Sequence, residues 1–273
     1  MAGRHIHILT GCAVVFVLLT ACEGLFEGIY DQPPQEEQPA AVQVDTLPAT
    51  DTAAVAISGS LYIDASSWIN WYYVDLQAMA DSAAQGRPTE PDLTPYPIPQ
   101  TLTGKSDGKT GIYTYWFDVW GQGIANNEFR SYQPTDPQPA PSSWTFAVHR
   151  NNVRTHGGAV FETSLTDMAQ LNMSHEALSQ LHFTADQWSE NAVWTVQSQM
   201  INSLIGSQGI EVNSVLSSWL PVAIPPMPPT FTLNDHIFIL RLADGSYAAL
   251  QLTNYQSPKG TKCCLTINYK YPL

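Results

Sequence analysis

From residue 55 onward the chain alternates apolar and polar positions with a period of two, the pattern of half-buried strands. Val55 to Asp64, Trp68 to Val74, Ile112 to Val119, Ser143 to Val148 and Ala159 to Thr163 are such runs, rich in β-branched and aromatic residues. Asp235 to Ala243 and Ser246 to Leu252 flank Asp244-Gly245, the strongest short hairpin signal. A further pair is expected from Leu250 to Tyr255 and Cys264 to Tyr271, joined through Ser257 to Gly260. In the last run Leu265, Ile267, Tyr269 and Tyr271 form one face and Thr266, Asn268 and Lys270 the other.

Helical signals are few. Met173 to Leu181 reads as a short helix capped by Ser174, and Thr184 to Trp188 as a helix start. Val196 to Ile205 places Met200, Ile201, Leu204 and Ile205 at helical spacing. Ala80 to Lys105 and Tyr132 to Ser142 read as proline-rich loops, and no internal repeat is present. The fold class this predicts is all-β, one domain with minor short helices.

The first 52 residues follow other rules. Arg4, His5 and His7 precede a short apolar stretch that ends in Leu19-Thr20-Ala21-Cys22. A charged start, an apolar run of about 12 residues and a small-residue cut site make a signal peptide, too short to span a membrane. Its last four residues resemble a bacterial lipobox, which makes Cys22 the lipidated first residue. Glu23 follows it, with no Asp to retain the protein at an inner membrane. Glu23 to Thr50 then holds six acids, no basic residue and four prolines, which predicts a disordered, extended acidic tether. The expected organisation is a signal peptide over 1–21, a tether over 22–52 and a β domain over 53–273.

Composition sharpens this picture mainly by exclusion. The 273 residues include 24 Asp and Glu against 11 Lys and Arg, a net charge of −13. Six of those acids lie between Glu23 and Thr50. An acidic chain with so few cations carries no footprint for nucleic acid, and it lacks the basic patch that would hold it to anionic lipid. With 44% hydrophobic residues it can bury a real core.

Catalytic motifs are missing. There is no Gly-x-Ser-x-Gly, no Walker loop and no His-Glu-x-x-His, so a binding protein is expected rather than an enzyme. Cys263 and Cys264 are adjacent in an expected strand, where successive side chains diverge, so they read as two small strand residues, at least one buried. Trp219 to Thr230 holds five prolines, from Pro221 to Pro229, around Met227. Proline forbids helix and central strand there and pre-orders the loop. A thioether in such a loop is either a gap-filling core side chain or a soft contact for a ligand.

One resemblance organises these features. Trp144 to Phe161 reads Trp-Thr-Phe-Ala-Val-His-Arg-Asn-Asn-Val-Arg-Thr-His-Gly-Gly-Ala-Val-Phe. It resembles the HmuY-like haem-binding lipoproteins of Bacteroidetes, whose hallmark is a Trp-Asp-x-Ala-x-His-Arg strand, a turn and a Gly-Gly-Ala-Val-Phe strand. Tyr62-Ile-Asp-Ala-Ser66 is similar to that family's opening strand, and Phe231 to Leu273 to its closing run.

The resemblance implies a surface haemophore for iron acquisition. It would take haem, with host haemoproteins as one source, and pass it to a TonB-dependent outer-membrane receptor. It would be lipid-anchored at the outer membrane or cell surface, or released from it. The best-known member grips iron with two histidines. Here Ile224 stands where one of them would fall, and the other falls in Ser198 to Gly209, which has no His. Both regions carry a methionine, so the resemblance implies Met200 and Met227 as the axial pair. Trp194, Trp219, Ile201 and Ile224 are candidates for an apolar wall. His149, Arg150 and Arg154 are expected to serve sheet architecture. The alternative is a surface lipoprotein of the same fold that binds a glycan or a protein partner without haem.

Overall fold

Alternation carries the chain back and forth across three sheets, with short helices filling the gaps between them. The computed structural model describes residues 55–99, 111–116, 131–133, 137–195, 204–223 and 228–273. All of them fall within one compact unit, Ala53–Leu273. The signal segment, the tether and Cys22 lie outside the described residues.

The elements run in this order. First come β1 (Ile57–Asp64), β2 (Asn70–Val74), α1 (Leu76–Ala84), β3 (Pro95–Pro97), β4 (Gly111–Trp116) and β5 (Ser131–Gln133). Then follow β6 (Phe146–His149), β7 (Asn152–Thr155), β8 (Ala159–Glu162), α2 (His175–Ser179), β9 (Thr184–Ala185), β10 (Gln187–Trp194) and β11 (Leu204–Val212). The chain closes with α3 (Ser214–Ser217), β12 (Val222–Ala223), β13 (Thr230–Phe231), β14 (Ile237–Arg241), β15 (Tyr247–Gln256) and β16 (Lys262–Tyr271).

The main sheet has the order β1-β16-β15-β14-β8-β9, a second β3-β2-β6-β7 and a third β10-β11-β4-β5, with β12 and β13 as a separate pair. Every pairing among them is antiparallel.

The second sheet is covered on both faces, which explains its near-continuous apolar runs. Val74, Phe146, Val148 and Val153 face the main core, where they meet Leu61, Ile63, Leu240, Leu250, Leu265 and Ile267 of the main sheet. Trp71, Tyr73 and Ala147 face the other way and pack with Val193, Ile210 and Val212 of β10 and β11. The far side of the main sheet is closed by Leu178 of α2 against Ile239 and Tyr247. The molecule is therefore a stack of sheets, with cores between successive layers.

The strong hairpin signals fold as expected. Gly245 sits at φ +87°, a left-handed conformation that L side chains rarely adopt, and joins β14 to β15. β15 pairs with β16 across the Ser257–Gly260 turn, and α2 is capped by Ser174 through a 3.2 Å bond from the Ala177 amide.

Other expectations are corrected. Thr184 to Trp188 is no helix start: Thr184 and Ala185 pair with β8, and Gln187 opens β10. The Asp186 carboxylate accepts from the Thr155 amide at 2.6 Å and its hydroxyl at 2.8 Å. Asn213 Nδ2 donates to the same carboxylate at 3.0 Å, so Asp186 fastens β7 to the start of α3. The helical spacing of Val196 to Ile205 is also misleading at its end, because Leu204 and Ile205 pair with Trp116 and Tyr115 of β4. Residues 196–203 lie outside the described set.

The stretch read as loop from Ala80 begins inside α1. Asp75 caps that helix by accepting from the Ala78 amide at 2.9 Å, and Leu76, Met79 and Ala80 enter the core. The two proline-rich loops each hold a short strand, β3 and β5.

Candidate functional site

The candidate site rests on two chain connections, from β10 to β11 and from β12 to β13. Met200 and Ile201 belong to the first, Ile224 and Met227 to the second, and all four lie outside the described residues. What the structure places is the frame around them.

The first frame is rigid. Val193 stands opposite Gln208, and Trp194 opposite Ser207, beyond an irregularity that begins at Ser189. Val193, Ser207 and Gln208 are buried, while Trp194 is half-buried. The Gln208 Oε1 accepts from the Trp71 indole at 3.0 Å, and its Nε2 donates to Gln138 Oε1 at 3.0 Å. Gln138 in turn donates to the Tyr96 carbonyl at 3.3 Å. A buried amide chain thus ties β11 to β2 and to the proline-rich segments. Thr195, the last described residue before Met200, is buried with no hydrogen-bond partner for its Oγ1.

The second frame starts at α3. Asn213 caps it by accepting from the Leu216 amide at 2.9 Å, and the helix delivers Trp219 into the main core, fully buried. Trp219 also has an unpartnered polar atom, its Nε1. The strands leaving it are closed by the Thr232 amide donating to the Pro221 carbonyl at 3.1 Å and the Asn234 amide to the Trp219 carbonyl at 2.9 Å. Val222 pairs with Phe231 and Ala223 with Thr230. Phe231 stacks on Tyr255 with centroids 6.0 Å apart. The proline-rich segment is thereby held by pairing on either side of residues 224–227, which lie outside the described residues.

Thr195 precedes the first connection in the chain and Trp219 the second, and among the described residues Thr195 Oγ1 and Trp219 Nε1 are buried without a hydrogen-bond partner. Such an atom costs about 1–3 kcal/mol unless a ligand or another group satisfies it.

The histidines and arginines of the Trp144–Phe161 segment are placed as architecture. His149 is fully buried, and its Nε2 donates to the Trp68 carbonyl at 2.9 Å. Burial holds its pKa down to about 4. The Arg150 guanidinium lies 3.7 Å over the Trp68 ring and donates to the Ser66 carbonyl at 2.7 Å. Arg154 lies 5.0 Å over the Trp144 ring, on which His156 also stacks at 4.7 Å. His236 is paired with Glu162 at 2.8 Å.

Among the described residues no group of three or more His, Cys, Asp or Glu could hold a metal ion. Cys263 and Cys264 are both buried and free, and burial pushes the Cys263 thiol up to about 11. The donor chemistry left in the frame is that of the thioethers. Two soft, neutral sulfur donors suit haem iron, so the residues present are compatible with that group.

Sequence reasoning missed two elements of this frame, the Gln138–Gln208 chain and the Glu162 contacts. Both join residues far apart in the chain and leave no local pattern.

Comparison with known proteins places the chain in context. A solved structure from Bacteroides vulgatus, of a protein described as HmuY-like and haem-binding, is 28% identical with a TM-score of 0.51. That match covers 82% of this chain and 96% of the other. A protein of Bacteroides fragilis described as a lipoprotein is 24% identical, with a TM-score of 0.55 over 82% of this chain and 92% of that one. The apo HmuY analogue of Tannerella forsythia is 19% identical, with a TM-score of 0.57 over 80% and 97%. The last two show a shared fold. No curated protein sequence matches the chain significantly. The family model described as HmuY protein matches residues 67–269, which takes in the second and third sheets, the main sheet except β1 and the end of β16, and both methionine-bearing connections, and the chain belongs to the HmuY family.

Proposed function

We propose that the protein is a surface haem-binding lipoprotein that captures haem through Met200 and Met227 and hands it to an outer-membrane receptor. The observation that carries this reading is the family match over residues 67–269, joined to a 28% identical relative described as haem-binding. The site residues rest on a narrower argument. The two connections that resemble the family's ligand-bearing stretches lack histidine, and each holds one methionine. Ile224 would border the ligand on the Met227 side, and Trp219, fully buried in the main core, would support it from beneath. Cys22 would carry the lipid, and the acidic tether would hold the domain off the membrane.

Bound haem would supply an iron centre whose potential thioether ligation raises. The protein's part is to present two soft donors from rigid frames and to keep water from the iron. Proline stiffness in the second frame lowers the ordering cost of presenting Met227.

Absorption titration with haemin, oxidised and reduced, tests the reading. A saturable Soret shift is expected, together with its loss in the Met200→Ala, Met227→Ala double variant. An unchanged spectrum in that variant would sink the ligand assignment, and no binding by the wild type would sink the haem reading.

A second reading is favoured by one surface. Tyr62, Tyr72, Asp64, Ser66, Ser67 and Leu93 line an open cavity of about 470 Å³. Aromatic rings beside hydroxyls and a carboxylate suit a sugar. If haemin fails to bind while an oligosaccharide perturbs Tyr62 or Tyr72, the fold serves a glycan instead.

A further inference from the structure

Position 162 breaks the pattern of its strand. Val160 and Glu162 project to the same face of β8. Val160 is fully buried in the main core, and Phe238, the register partner of Glu162, is fully buried there too. A carboxylate therefore ends a row of core-facing apolar residues at their half-exposed edge, where Glu162 keeps 34% of its side-chain surface in solvent.

Glu162 is compensated by a set of donors. Asn234 Nδ2 and His236 Nδ1 both donate to its Oε1, each at 2.8 Å. The Ser218 hydroxyl, 3.5 Å from Oε2, gives its proton to the Val215 carbonyl at 2.6 Å. Burial pushes this carboxyl up, but the bonds from Asn234 and His236 and the nearby imidazole hold it below the ordinary range.

Asn234 links this carboxylate to both ends of one segment. Ser218 ends α3 immediately before Trp219. Asn234 follows the returning strand β13, and its side chain also donates to the Ser218 carbonyl at 3.3 Å. Its main-chain amide holds the Trp219 carbonyl at 2.9 Å. Through Asn234, one carboxylate on the main sheet is thus linked to the chain where it enters the proline-rich segment and where it leaves.

We propose that Glu162 is a positioning residue: by holding Asn234, whose side chain and amide reach the Ser218 and Trp219 carbonyls, it fixes to β8 the root of the Trp219–Asn234 segment in which β12 and β13 pair. The consequence for a ligand rests on the reading that Met227, between β12 and β13 in the sequence, binds haem. The tie itself is a property of the fold without ligand.

Hydrogen exchange on the full domain without haem tests the tie. In Glu162→Ala the Thr232 and Asn234 amides exchange at least about tenfold faster, while Ile239 and Leu250 in the main sheet stay within about twofold. Glu162→Gln, which keeps an acceptor for Asn234, recovers most of the protection. Unchanged exchange at Thr232 and Asn234, an equal rise throughout the main sheet, or no recovery in Glu162→Gln would each overturn the proposal.

A second measurement uses haemin. Glu162→Ala is expected to lose part of the six-coordinate low-spin spectrum that the wild type forms. If the wild type binds no haemin, the haem reading fails and the exchange pattern still decides the role of Glu162. If the wild type binds and the variant shows an unchanged spectrum despite faster exchange at Thr232 and Asn234, the link from Glu162 to the ligand is overturned and the haem reading stands.

Discussion

The Nε2 of His149 donates a 2.9 Å hydrogen bond to the main-chain carbonyl of Trp68, 81 residues earlier in the chain. This contact fixes the tautomer: the proton is on Nε2, and Nδ1 is buried without a partner. A second proton on the ring would put an unsatisfied donor and a charge into the core beside Arg150.

That relationship predicts an acid-sensitive fold. The His149 pKa is held down to about 4 from an ordinary 6.5. The unfolded chain therefore binds the proton first. Stability is complete above the unfolded value, falls as pH drops below about 6.5, and levels out below about 4, for a loss of roughly 3 kcal/mol from this group. Urea titrations at pH 7, 5 and 4 measure the loss. His149→Leu should flatten that part of the profile while lowering stability at pH 7, because the Trp68 carbonyl loses its donor.

The buried amide chain gives a second prediction. Gln208 satisfies the Trp71 indole and is held by Gln138, with both bonds at 3.0 Å. Gln208→Leu keeps the volume but strands the Trp71 donor. A destabilisation of about 1–3 kcal/mol is expected, read as a lower urea midpoint at unchanged slope.

Glycines separate two kinds of constraint. A Cβ at Gly158 would lie 2.8 Å from the Arg241 carbonyl oxygen, against the strand that pairs with β8. Gly158→Ala must push β8 and β14 apart, at about 1–3 kcal/mol. At Gly245 a Cβ meets nothing within 4 Å, and only the φ of +87° opposes it. Gly245→Ala should cost about 1–2 kcal/mol. Thermal unfolding of the two variants compares them directly, and Gly158→Ala alone should disturb the chemical shifts of Arg241.

Ligand chemistry supplies a fourth prediction. Thioethers do not protonate near neutrality, whereas histidine ligands do. Haemin affinity should therefore stay flat between about pH 5 and pH 7.5, where the domain remains folded. A titration series across that range checks it, and a steep fall below pH 6.5 with the fold intact would point to a histidine ligand.

Local pattern was enough for much of the fold. Alternation marked most of the main-sheet strands, Asp244-Gly245 marked the β14–β15 hairpin, and Ser174 marked α2, because period and turn chemistry act between near neighbours. The apolar spacing after Asp75 was equally legible, yet it was hidden by the prolines that follow α1. The motif from Trp144 to Phe161 also carried the family in the sequence itself. What failed were readings in which a local signal was taken over by a distant partner. Thr184 to Trp188 looked like a helix start, but β8 and β11 pair with it, and Thr155 and Asn213 hold the Asp186 carboxylate. Leu204 and Ile205 kept helical spacing, but β4 offered them a ladder.

The sequence by itself determined which segments could be strands, and it supplied the motif from Trp144 to Phe161 that carries the family. Only the tertiary structure decided which carbonyls His149 and Arg150 serve, and that Glu162 holds Asn234 where the proline-rich segment leaves. Those outcomes depend on donors and acceptors brought together from far along the chain, and burial makes every unmet partner expensive, so the packed layers alone settle which groups remain free for a ligand.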